Sequence, residues 1–208
     1  MDIQKLVPTD PTIEAGKLLL YVSDSTRATI ATYQWQPKVV IFAGVLEFPA
    51  GWYDVNDASA PAVKKFTYGQ GFQIYAKVPV SINYCGQVVT ASPKFTATAP
   101  GYYRCGNATP VDVDLQKILP TSTVAPEIEA GKLLLYTFGA DRAVAKTYQW
   151  QPKVVILAGV VEFPAGWYDV NDASAPATKT FTPGEGFQIY SKLDDVTITF
   201  PSPLKDAE

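Results

Sequence analysis

Apolar and polar residues alternate at period two along much of the chain. Phe72-Gln73-Ile74-Tyr75-Ala76-Lys77 follows this pattern, as do Val80, Ile82 and Tyr84 against Ser81 and Asn83. That period belongs to half-buried strands, whose side chains point to opposite faces in turn. Two runs, Leu18 to Val22 and Val39 to Phe42, are apolar throughout and predict strands covered on both faces. The longest apolar stretch, Val39 to Leu46 (VVIFAGVL), reads as a buried strand. It is far shorter than the roughly 20 residues that a membrane-spanning helix needs. Helical periodicity is weak. Its best candidate is a turn or two near Asp2 to Leu6, with a second copy at Asp114 to Ile118.

The pattern occurs twice. IEAGKLLLY starts at Ile13 and again at Ile128; TYQWQPKVVI starts at Thr32 and Thr147; GFQIY starts at Gly71 and Gly186. Sixteen residues, EFPAGWYDVNDASAPA, run from Glu47 to Ala62 and return unchanged from Glu162 to Ala177. The offset is constant from Ile13 to Lys77. Beyond that block, Asp2-Ile3-Gln4-Lys5-Leu6 parallels Asp114-Leu115-Gln116-Lys117-Ile118, and Val80 to Tyr84 parallels Val196 to Phe200. Each copy covers about 85 residues, too long for a solenoid repeat and suited to a small autonomous domain. Pro- and Gly-punctuated short strands predict an all-β protein. The expected architecture is two tandem homologous β-sandwich or barrel-like domains, residues 1–84 and 112–208, joined by a β-rich segment, 85–111.

That segment, CGQVVTASPKFTATAPGYYRCGNATPV, has no counterpart ahead of the first copy or after the second. It holds three strand-like pieces, Gln87 to Ala91, Lys94 to Thr98 and Tyr102 to Cys105. If they complete a sheet of one copy, the other copy keeps an open edge. An open edge is a template for strand addition by another chain. The alternative is a β-rich linker packed between the domains. The copies differ most at Val22 to Ala31 against Thr137 to Lys146, a polar stretch that reads as an exposed hairpin tip.

Composition narrows the function classes. Net charge is −3 with no cluster of Lys and Arg, which argues against nucleic acid as a partner. The chain has no histidine, removing the commonest general base near neutral pH and the commonest zinc ligand. No cofactor motif is present, and none is expected to be bound. The N-terminus MDIQKLVPTD lacks the basic and apolar regions of a secretory signal. The expected location is a virion or an extracellular or cell surface, reached without a leader visible in this chain.

Three constellations carry candidate chemistry. The first is aromatic: Tyr33, Trp35, Trp52 and Tyr53 with Asp54, repeated as Tyr148, Trp150, Trp167, Tyr168 and Asp169. Exposed, these rings would stack on sugars, giving a carbohydrate-binding protein with two weak sites reinforced by avidity. Buried, they are core. The second is Asp54, Asn56 and Asp57 with Asp169, Asn171 and Asp172, oxygen ligands at alternate positions that are weak candidates for calcium. The EF-hand pattern needs Gly and Glu where this sequence has Ser59 and Lys65, so an Asx-turn scaffold is the better expectation. The third is carboxylate: Glu47 with Asp54, and Glu162 with Asp169, which as acid–base pairs would suggest glycoside hydrolysis. Two complete active sites in domains this small are not expected.

Cys85 and Cys105, the two cysteines of the chain, each end a strand-like piece and are candidates for a disulfide. Asn107-Ala108-Thr109 matches a glycosylation triplet. Together these features favour a non-enzymatic structural protein, a subunit or decoration of a larger assembly such as a virion, fibre or filament. Its expected partners are copies of itself or other subunits of that assembly. Glycan binding is the alternative.

Overall fold

The computed structural model describes the chain except residues 25, 27, 42–45, 67–70, 85–90, 108, 126, 140–142, 157–160 and 203–208; of 46, 84, 156 and 161 it describes the main chain only. The described chain is all-β. Its only helical pieces are two 3₁₀ turns, Ile3–Lys5 and Leu115–Lys117. Each is opened by an aspartate, Asp2 or Asp114, whose carboxylate accepts from the amide two residues on. No described helix is long and apolar enough to cross a membrane.

Contacts divide the chain into two compact units: Met1–Thr67 with Phe72–Gln87, and Tyr68–Gly71 with Val88–Glu208. The first unit contains β1 (Leu6–Pro8), β2 (Leu18–Ser23), β3 (Thr29–Gln36), β4 (Val39–Ile41), β5 (Leu46–Phe48), β6 (Gly51–Asp54), β7 (Gln73–Ala76) and β8 (Ile82–Tyr84). They form an antiparallel sheet in the order β6-β3-β2-β7, a β1-β8 pair and a β4-β5 hairpin.

The second unit contains β9 (Lys94–Ala97), β10 (Gly101–Gly106), β11 (Val113–Asp114), β12 (Leu119–Ser122), β13 (Leu133–Phe138) and β14 (Val144–Gln151). β15 (Val154–Ile156), β16 (Val161–Phe163), β17 (Gly166–Asp169), β18 (Thr180–Phe181), β19 (Gly186–Ser191) and β20 (Val196–Thr199) follow. Their sheets are β10-β19-β13-β14-β17, β12-β20-β9, β11-β18 and β15-β16.

The repeated residues make the same strands in the same register. Trp35 faces Trp52 and Tyr33 faces Asp54 across β3 and β6; Trp150 faces Trp167 and Tyr148 faces Asp169 across β14 and β17. Even the irregularity recurs, between Val22 and Ser23 in β2 and between Thr137 and Phe138 in β13. In each unit the inward positions of separate sheets share one apolar cluster. Leu18, Leu20, Trp35 and Trp52 lie with Ile3, Leu6 and Phe66 in the first. Leu133, Leu135, Trp150 and Trp167 lie with Ile118, Val196 and Ile198 in the second.

The units differ in the segment between the repeats. Its described strands belong to the second unit, where β9 adds to β20 and β10 adds to β19. β19 and β20 are therefore flanked on both sides, whereas among the described residues their counterparts β7 and β8 end their sheets. Gly71, grouped with the second unit, donates its amide to the Arg104 carbonyl at 2.6 Å. A Cβ there would lie 2.7 Å from the Arg104 carbonyl carbon.

Two expectations are corrected. The stretch from Val39 to Leu46 is not one buried strand: its ends pair with each other as the arms of β4 and β5, and Val39, Val40 and Ile41 are exposed. A run of apolar letters cannot distinguish a single strand from two arms that fold back, and the central residues, 42–45, lie outside the described ones. Leu18 to Val22 is likewise not covered on both faces. Leu18, Leu20 and Val22 are buried while Leu19 and Tyr21 on the opposite face are only half-buried.

Candidate functional site

The duplicated sixteen-residue stretch builds the same local structure twice. In the first unit, Pro49 and Ala50 turn the chain into β6, and Trp52 enters the core completely buried. Its indole Nε1 donates to the Leu6 carbonyl at 2.6 Å. Trp35 packs edge-on against it, ring centroids 5.8 Å apart, and donates Nε1 to the Pro11 carbonyl. Tyr53 reaches back to the Pro49 carbonyl at 2.8 Å, closing the turn that precedes it. The second unit repeats the Trp52 and Tyr53 bonds and the ring contact: Trp167 Nε1 to Ile118 O, Trp150 edge-on at 5.7 Å, and Tyr168 to Pro164 O.

All eight rings, Tyr33, Trp35, Trp52, Tyr53, Tyr148, Trp150, Trp167 and Tyr168, are buried. They are therefore not an exposed platform on which a sugar ring would stack. Burial raises the phenols of Tyr33, Tyr53, Tyr148 and Tyr168 above their ordinary value of 10.0. For Tyr33 the Asp54 carboxylate adds to the rise.

The oxygen-rich positions turn the backbone. Asp54 accepts from the Asn56 amide, and Asp57 accepts from both the amide and the hydroxyl of Ser59. Asp169 and Asp172 do the same for Asn171 and Ser174. These are Asx turns, in which a short carboxylate replaces a backbone acceptor. The Ser59 and Ser174 hydroxyls hold the Asp57 and Asp172 carboxyls below their ordinary value. Among the described residues no group of three or more Cys, Asp or Glu is placed to hold a metal ion.

The paired carboxylates fall on different sheets. Glu47 sits on the β4-β5 hairpin in an ion pair with Lys38, and Asp54 ends β6. Glu162 pairs with Lys153 on β15-β16, while Asp169 ends β17 beside Lys146 at 3.4 Å.

Cys105 is buried on β10 with a free thiol, and burial pushes that thiol far above its ordinary range. Cys85 lies outside the described residues. Asn107 of the glycosylation triplet is buried: its Nδ2 donates to the Val111 and Phe181 carbonyls, and its Oδ1 accepts from Thr109.

One pair of residues escaped the reading of the sequence. Gln4 Nε2 donates to the carbonyls of Trp52 and Ala62, both at 2.8 Å, and its Oε1 accepts from the Trp52 amide. Gln116 makes the same three bonds to Trp167 and Ala177. Each glutamine amide thus stands in for a missing piece of backbone, joining the 3₁₀ turn to β6 or β17. The signal was present in the repeated Asp-x-Gln of the two turns. It also explains the glycine of the repeat, because a Cβ on Gly51 or Gly166 would lie 2.6 Å from that glutamine's Oε1.

Compared with known proteins, the chain matches no family model, no curated protein and no solved structure.

Proposed function

We propose that this is a non-enzymatic structural protein, a subunit or decoration of a larger surface assembly of the virion, fibre or cell-surface filament kind. In this reading the two units are tandem homologous β-sandwich or barrel-like domains. Their partners are copies of the chain or other subunits of the assembly, and they act outside a cell or on a particle.

The observation that carries the reading is the pair of bare apolar hairpins. Val39, Val40 and Ile41 on β4-β5, and Val154 and Val155 on β15-β16, lie at the surface, with Val40 and Val155 each 52% exposed. Single exposed apolar residues are ordinary, but an arm of adjacent ones that recurs in both copies is a contact surface. The burial of every candidate sugar-stacking ring gives the alternative reading no comparable support.

The test is a double change, Val40→Lys with Val155→Lys, followed by negative-stain microscopy and mass photometry. Both side chains are surface-exposed, so the variant should keep the circular dichroism of the wild type. Wild-type protein is expected to form oligomers or filaments as concentration rises, and the variant to remain monomeric. Equal assembly by both proteins would refute the role of the hairpins.

A further inference from the structure

We propose that the bare hairpins join copies of this chain to one another. A hairpin of one copy, β4-β5 or β15-β16, packs on a hairpin of the next about a local two-fold axis. The inference rests on the assembly reading above, and it names the partner of the surface which that reading invokes.

Strand pairing fixes what each face of a hairpin shows. Val40 stands opposite Glu47, and Val155 opposite Glu162, so each valine shares a face with that carboxylate. Lys38 and Lys153 pair with the same two carboxylates, which brings a cation to that face as well. The patch is a valine bordered by one lysine and one glutamate, and in both hairpins all three are more than half exposed. The other face is the more covered one: Phe48 and Phe163, opposite Val39 and Val154, are half-buried.

The bareness belongs to the hairpin itself. β9 and β10 are built into the second unit and not into the first, yet Val40 and Val155 are equally exposed, and so are Glu47 and Glu162. Two differently flanked units thus present the same patch.

The occupant is a second copy because the patch is complementary to itself. Turned through a two-fold rotation and laid on another copy, valine meets valine, and each lysine meets the glutamate of the other hairpin. A partner face of one uniform charge would instead set a like charge against the lysine or the glutamate. The patch is electrically neutral, whereas the whole chain carries −3. Contact through it therefore avoids the repulsion that net charge sets up between copies. In one copy the exposed ion pair contributes little to the fold, which leaves both charges available to a neighbour. The patch occurs twice in each chain, so contacts of this kind propagate from copy to copy and growth stays open-ended.

The experiment is a charge swap on the full chain, read by sedimentation velocity. An acidic variant carries Lys38→Glu with Lys153→Glu, and a basic variant carries Glu47→Lys with Glu162→Lys. All these side chains are exposed, so both variants should keep the circular dichroism of the wild type. Wild-type protein is expected to grow in size with concentration. Either variant by itself sets like charges face to face and should sediment as a monomer. An equimolar mixture should recover association, because acidic patches then meet basic ones. Assembly of either variant by itself, or a mixture as monomeric as its components, overturns this inference while the assembly reading stands. Wild-type protein that stays monomeric overturns both. A Val155→Lys variant keeps one patch per chain and should stop at dimers; growth beyond the dimer also overturns the inference.

Discussion

At the scale of single residues, the glutamine clips are the strongest local statement the molecule makes. Removing Gln4 leaves the Trp52 amide and the Ala62 carbonyl without their side-chain partner. Unsatisfied buried groups cost about 1–3 kcal/mol each. Gln4→Ala or Gln116→Ala is therefore expected to lower stability by about 2–4 kcal/mol in denaturant melts. Gly51→Ala should cost a similar amount while Gln4 is present, because the new Cβ meets Gln4 Oε1. In a Gln4→Ala background it should cost little, since the next neighbour, Pro61 Cβ, is 3.9 Å away. A double-mutant cycle reads this coupling directly; additive costs would contradict the clip.

The same scale sets the pH limits. Burial raises the Tyr53 and Tyr168 phenols in the folded state, so their contribution is present below the ordinary value of 10.0 and is lost as pH rises through it. The Asp57 and Asp172 carboxyls are lowered, so theirs is present above 3.8 and is lost as pH falls further. Alkaline unfolding should accompany tyrosinate absorbance, and Tyr53→Phe with Tyr168→Phe should weaken the alkaline loss. The buried Cys105 thiol should resist thiol reagents in a Cys85→Ser background until global unfolding, and labelling of the native protein would contradict its placement.

Much of this was legible in the sequence, and for a physical reason. Asx turns are local, formed between residues two apart, so Asp57 and Ser59 announce themselves. Gln4 and Trp52 are distant in the chain: the repeated Asp-x-Gln marks the glutamine, but nothing local names Trp52 as the backbone it will bond.

At the scale of elements, the strands with period-two alternation were readable, and so were the turns at Asp2 and Asp114. The β4-β5 and β15-β16 hairpins were not. Their apolar letters predict burial, and only the pairing of Val39 with Phe48 and Val154 with Phe163 turns each run back on itself. The ion pairs at their bases, Lys38 with Glu47 and Lys153 with Glu162, are half-exposed and hold little. Lys38→Ala is expected to cost less than about 1 kcal/mol in a thermal melt. The Val40→Lys, Val155→Lys protein should melt within about 0.5 kcal/mol of wild type, leaving association as the property that changes.

At the scale of the molecule, the all-β class and the doubling of the pattern could be read from the letters alone. Which copy receives the strands between them could not. Residues 91–107 alternate in a way that suits an edge of either copy, and the difference lies in long-range pairing with β19 and β20. The consequence is a chain whose two units share a strand pattern but not its completion.

The most direct measurement is sedimentation velocity of the purified chain across a wide concentration range. Association through its bare apolar surfaces predicts a weight-average sedimentation coefficient that climbs with concentration. A single monomer boundary at every concentration would contradict it.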